Sequence, residues 1–105
     1  MKTTMLCTLL ACLPGVALAY PIEVEKQYNG AEISYQANDI DHNMGAITVY
    51  NLGGTRAECT ARFVNGPETP RVRRSVIAPG ESVSLTAKFN RSIIRLRVGL
   101  TCKPV

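Results

Sequence analysis

An antiparallel β-sandwich of about seven short strands is the fold class this sequence predicts, and three observations predict it. Apolar and polar residues alternate with a period of two in segment after segment, the signature of chain whose side chains point to opposite faces of a sheet. Turn-forming pairs, Asn29-Gly30, Gly53-Gly54, Asn65-Gly66-Pro67 and Pro79-Gly80, punctuate those segments about every ten residues. No window places apolar residues at the three- and four-residue steps of an amphipathic helix.

The elements follow in order. Ile22 and Val24 alternate before Asn29-Gly30, and Ala31, Ile33 and Tyr35 alternate after it, so Glu25 to Gln36 predicts a hairpin. Both central residues of a type I′ turn need positive φ, which Asn and Gly adopt most easily. Asp39 to Gly45 is polar and predicts a loop. Ala46 to Leu52 and then Ala57, Cys59, Ala61 and Phe63 predict two further strands, ended by Asn65-Gly66-Pro67. Arg71 to Ile77 is the next strand. Pro79-Gly80 makes a tight turn into Val83, Leu85 and Ala87, which alternate with Ser82, Ser84 and Thr86. The last strand puts Ile94, Leu96, Val98, Leu100 and Cys102 on one face, with Arg95, Arg97, Gly99 and Thr101 on the other.

Ahead of this domain, Lys2, the apolar stretch from Met5 to Val16 and the exit Ala17-Leu18-Ala19 form a secretory signal, with cleavage expected after Ala19. The apolar stretch is shorter than the ~20 residues of a membrane-crossing helix, so no membrane span is expected. The expected organisation is a signal peptide over 1–19 and a single domain over 20–105, in a periplasmic or secreted protein.

A domain of about 86 residues has a marginal core, and an oxidising compartment allows a staple. Cys59 and Cys102, the cysteines left after cleavage, both fall on inward faces and are expected to form a buried bridge between strands. Closing a loop of about 44 residues contributes roughly 4 kcal/mol in the chain-entropy account. A redox pair would instead have its thiols closely spaced, as in C-x-x-C.

Ile77-Ala78-Pro79-Gly80-Glu81-Ser82 leading into an alternating strand, together with the Cys-to-Cys staple, resembles immunoglobulin-like sandwich domains exported by bacteria. The chain is also similar to a group of small exported proteins of unknown function, through Tyr20-Pro21-Ile22-Glu23-Val24-Glu25-Lys26 and Phe63-Val64-Asn65-Gly66-Pro67-Glu68. A kinase label attached to some of that group has no footing in this sequence, which lacks both a G-x-x-x-x-G-K-[ST] phosphate loop and a βαβ pattern.

Charge is divided unevenly. Between Tyr20 and Thr55, Glu23, Glu25, Glu32, Asp39 and Asp41 face Lys26 alone, whereas every arginine lies in the remainder, with Glu58, Glu68 and Glu81 as its only acids. In extended chain Arg71 and Arg73 share a face, as do Arg95 and Arg97, and these four are the candidate contacts for a protein partner or an anionic envelope polymer. Glu23 and Glu25 have the same two-residue spacing and would neutralise Arg95 and Arg97 if their strands were neighbours. Nucleic acid is not expected as a partner, because stacking platforms need more aromatic residues than this chain has.

Asp39-Ile40-Asp41-His42-Asn43-Met44-Gly45 is the candidate metal segment. The oxygens of Asp39, Asp41 and Asn43 alternate as at the start of a calcium loop, but the glycine falls one place late and the twelfth position is Tyr50. His42 and Met44 suit soft copper, although a blue-copper site needs a second histidine and a free cysteine. The alternative reading is a polar loop whose Asp and Asn side chains bond their own backbone. No cofactor and no catalytic residue is expected: His42 is the single histidine and no G-x-S-x-G nucleophile turn occurs. The leading expectation for function is a binding or accessory module of the cell envelope, with a metal-binding protein or a purely structural envelope protein as alternatives.

Overall fold

The computed structural model describes residues 20–105; the expected signal peptide and its cleavage site lie outside the described residues. Seven strands follow in order: β1 (Ile22–Gln27), β2 (Ile33–Asp41), β3 (Met44–Asn51), β4 (Ala57–Val64), β5 (Arg71–Ile77), β6 (Ser82–Lys88) and β7 (Leu96–Pro104). They form two sheets, one of order β1-β7-β4-β5 and one of order β2-β3-β6. Their inward faces close on one core. Ile47, Val49, Leu85 and Ala87 from the three-stranded sheet meet Ala61, Phe63, Leu96, Val98 and Leu100 from the four-stranded sheet. Burial of these alternate residues is the main force holding the layers together. Among the described residues no helix is long and apolar enough to cross a membrane.

The predicted all-β sandwich is therefore the fold, and three particulars of strand pairing and strand faces differ from the expectation. Asn29 and Gly30 do adopt positive φ, 50° and 96°, and the turn closes through a hydrogen bond from the Ala31 N–H to the Tyr28 carbonyl. Yet β1 and β2 are not hairpin partners: β1 pairs with β7, and β2 pairs with β3. The local turn is as its residues dictate, but it carries the chain from one sheet to the other. The β1 to β7 pairing is parallel, placing Ile22 opposite Leu96 and Val24 opposite Val98, so the sandwich is not purely antiparallel. Finally, Ile94 is not on the inward face of the last strand. It is 85% exposed, whereas Ile93 is buried. The Ile93 N–H is anchored on the His42 carbonyl and the Leu96 N–H on the Pro21 carbonyl, and the bend between them turns Ile94 out.

Cys59 and Cys102 are joined, both fully buried, with their Cα atoms 4.1 Å apart. They stand directly opposite each other in the antiparallel pair β4 and β7. The bridge thus ties neighbours within one sheet, unlike the inter-sheet bridge of antibody domains. The likeness to immunoglobulin-like domains extends to the layered architecture and not to this crosslink.

Two tertiary contacts fix the ends of the sandwich. Asn51 is buried at the close of β3, where its amide donates to the carbonyls of Thr55 and Ile77 and its Oδ1 accepts the Gly53 N–H. Gly45, at the other end of β3, packs against the Leu96 side chain so closely that a Cβ there would collide with it. Glycine is what allows the two sheets to approach at that point.

Candidate binding surface

Register decides which arginines share a face. Arg71 and Arg73 lie opposite Phe63 and Ala61, both buried, so their side chains start from the inward face of β5, at the edge of the sheet. Arg97 lies opposite Glu23 and Val64 on the outward face. Arg71 and Arg73 are thereby on one face of the sheet and Arg97 on the other, with Arg95 just ahead of β7.

Arg71 is engaged on several sides. Its guanidinium stacks 5.0 Å from the Phe89 ring centroid, donates to the Lys88 and Thr69 carbonyls, and lies 3.7 Å from Glu68. Arg73 donates to the carbonyl of its own neighbour, Val72. Arg95 and Arg97 both converge on a single carboxylate: Glu23 lies 3.5 Å from the first and 3.8 Å from the second. The parallel pairing of β1 and β7 makes this possible, since it sets Glu23 beside Arg97, while Glu25 faces Gly99. Neutralisation by β1 is thus half of what the sequence spacing suggested, and a positive excess remains.

That excess borders an open groove of about 530 Å³ lined by Val64, Pro67, Arg91, Ile94, Arg95 and Arg97. A neighbouring depression of about 500 Å³ includes Arg62 and Arg97 with Glu23 and Glu25. Arg62 and Arg91 have no ion-pair partner among the described residues. The groove therefore combines an apolar floor, with Ile94 at its rim, and an arginine border, a surface suited to anionic groups attached to an apolar body.

Glu68 holds together the two loops that line this groove, a role that went unrecognised in the sequence. Its two carboxylate oxygens accept the backbone N–H groups of Asn90 and Arg91, each at 3.0 Å, and one of them also accepts from the Asn65 amide at 3.1 Å. Backbone donation by Asn90 is the chief influence holding its pKa below the ordinary carboxylate range, with Arg91 N–H, the Arg71 charge and Asn65 adding to it against partial desolvation. The loop before β5 is in this way clamped to the loop before β7. The signal was available: Asn65-Gly66-Pro67-Glu68 is a turn whose single acid sits in an otherwise arginine-rich half.

The candidate metal segment is a hairpin rather than a loop. Asp39 and Asp41 end β2, Met44 begins β3, and His42 and Asn43 form the turn between them, with a bulge between Asp39 and Asp41. Asp41 accepts the His42 N–H at 2.7 Å, and the His42 ring Nδ1 lies 3.2 Å from the same oxygen. These contacts lower the Asp41 pKa, the backbone N–H foremost. Asn43 is committed to Phe89, donating from its side chain to the Phe89 carbonyl and accepting the Phe89 N–H on its own carbonyl. The Met44 carbonyl accepts from the Tyr20 hydroxyl, whose pKa is raised mainly by burial and then by the Asp39 charge. No group of three or more His, Cys, Asp or Glu side chains able to hold a metal ion occurs among the described residues.

The fold and the groove define a small disulfide-tied β-sandwich that presents a charged, partly apolar contact surface at one end. The chain belongs to the Enas family, endospore appendages, whose family model matches residues 17–98. Comparison with curated proteins and with solved structures finds no match.

Proposed function

We propose that this protein is a structural subunit of a surface appendage, acting through association with other subunits. Membership of the endospore appendage family supports an extracellular or surface location and a structural role. The observation on which the reading rests is the edge strand β5. Its outward side chains are Val72, Arg74 and Val76, the two valines 49% and 50% exposed, on a sheet edge that no strand among the described residues covers. An uncovered edge is a template for another chain, and the arginines of β5, Arg71, Arg73 and Arg74, restrict that pairing to a partner strand that carries acids. A subunit of a polymer needs at least two contact surfaces, and the edge and the arginine groove lie at different places on the four-stranded sheet. The pair Cys59 and Cys102 gives such a subunit resistance to unfolding outside the cell.

Electron microscopy of the purified protein, and of endospores from cells lacking it, tests this reading. Filaments formed by the protein and lost with its gene are expected, and Val72→Lys with Val76→Lys is expected to shorten or abolish them. Spores with unaltered surfaces and a protein that never polymerises would overturn it.

A further inference from the structure

At the end of the sandwich where the β2 to β3 hairpin meets the loop before β7, two patches of opposite charge lie side by side. One is Asp39-Ile40-Asp41, with Ile40 53% exposed between its acids. The other is the groove of Arg91, Ile94, Arg95 and Arg97, with Ile94 85% exposed. Their adjacency is fixed by the hydrogen bond from the Ile93 N–H to the His42 carbonyl. Despite it, no ion pair among the described residues joins them: Asp41 pairs with His42, while Arg95 and Arg97 pair with Glu23.

From this geometry we infer that the arginine groove receives the Asp39-Ile40-Asp41 hairpin of a second copy, through a two-fold symmetric end-to-end contact. The inference rests on the subunit role proposed above and names the partner of the groove. Three features carry it. The chemistry matches: an acid, an apolar residue and an acid meet arginines around an apolar floor, so Asp39 and Asp41 reach Arg91, Arg95 and Arg97 while Ile40 and Ile94 leave water together. The count matches as well, since Glu23 offsets one charge of the pair Arg95 and Arg97, Arg91 has no ion-pair partner among the described residues, and two further carboxylates restore balance. The placement matches because complementary patches lying side by side at one end are both satisfied by a two-fold axis between them, each patch being used twice. Within one chain the hairpin cannot do this, because Asn43 and His42 are held to Phe89 and Ile93 and fix the hairpin beside the groove.

Sedimentation velocity on the intact chain, at about 20 mM and about 500 mM salt, tests the contact. Expected is a reversible dimer at low salt that weakens about tenfold or more at high salt. Arg95→Glu with Arg97→Glu is expected to weaken it by a similar factor, as is Asp39→Lys with Asp41→Lys, while mixing the two reversed proteins restores association. Ile94→Ser is expected to weaken it without removing its salt dependence. All these positions are exposed, and a melting curve verifies that each variant is folded. Association untouched by both reversals overturns this contact and leaves the subunit role standing on the β5 edge. A protein that is monomeric at both salt concentrations also overturns it, and the Val72 and Val76 variants then decide the subunit role separately.

Discussion

The Asn51 amide donates to the Ile77 carbonyl oxygen at 2.9 Å, although Asn51 ends a strand of one sheet and Ile77 ends a strand of the other. The same residue receives the Gly80 N–H on its backbone carbonyl and gives its own N–H to Glu81, so the arch from β5 to β6 is sealed onto β3. Asn51→Leu keeps the branched shape but takes the amide donor from the buried contact with the Ile77 carbonyl and the part-buried contact with the Thr55 carbonyl. A loss of about 2–4 kcal/mol is expected, read as a lower urea midpoint with an unchanged slope.

The bridge of Cys59 and Cys102 is the second test. Its reduction, or the double change Cys59→Ala with Cys102→Ala, is expected to remove about 2–4 kcal/mol by freeing the unfolded chain. Denaturation with and without reductant checks this, and equal midpoints would contradict it.

Gly45 is the third. Gly45→Ala forces a methyl group into Leu96, which is itself fully buried and cannot swing into solvent. A destabilisation of about 1–3 kcal/mol is expected from overpacking, and pairing it with Leu96→Ala should give less loss than the sum of the two changes.

Glu68 predicts a pH dependence with a definite sign. Its folded pKa is lower than in the unfolded chain, so the unfolded state binds the proton more readily. The stability it contributes is complete above the unfolded value and declines as the pH falls through that value toward the folded one. Glu68→Gln is expected to flatten that part of the acid branch. Melting curves from neutral pH down into the carboxylate range check it. Asp41, shifted in the same direction, adds a slope of the same sign that Glu68→Gln leaves in place.

Glu23 separates charge from stability. Because the ion pairs of Glu23 with Arg95 and Arg97 are more than half exposed, Glu23→Gln is expected to change stability by less than about 1 kcal/mol. The same change leaves one more positive charge uncompensated and is expected to strengthen binding of a polyanionic probe such as heparin, measured by its salt of elution.

Much of this molecule is readable in one dimension. Alternation in Ala57 to Phe63 and in Leu96 to Cys102 identifies inward faces because a side chain's face in a strand is set by parity alone. Asn29-Gly30 predicts its own positive φ for the same local reason. Ile94 misled because parity holds only while the strand lasts, and β7 begins at Leu96, where a hydrogen bond to Pro21 first holds it in the sheet.

The class of fold, the faces of the strands and the partnership of Cys59 with Cys102 are written in the residue pattern. Folding in three dimensions is what makes β1 cross to pair in parallel with β7, sets Arg71 and Arg97 on opposite faces, gives Glu23 two arginines, and lets Glu68 clamp two loops. The reason is physical: backbone preference and face parity act over a few residues and are written locally. The choice of strand partner, by contrast, depends on which pairing buries both sheets at once, a property of the whole chain.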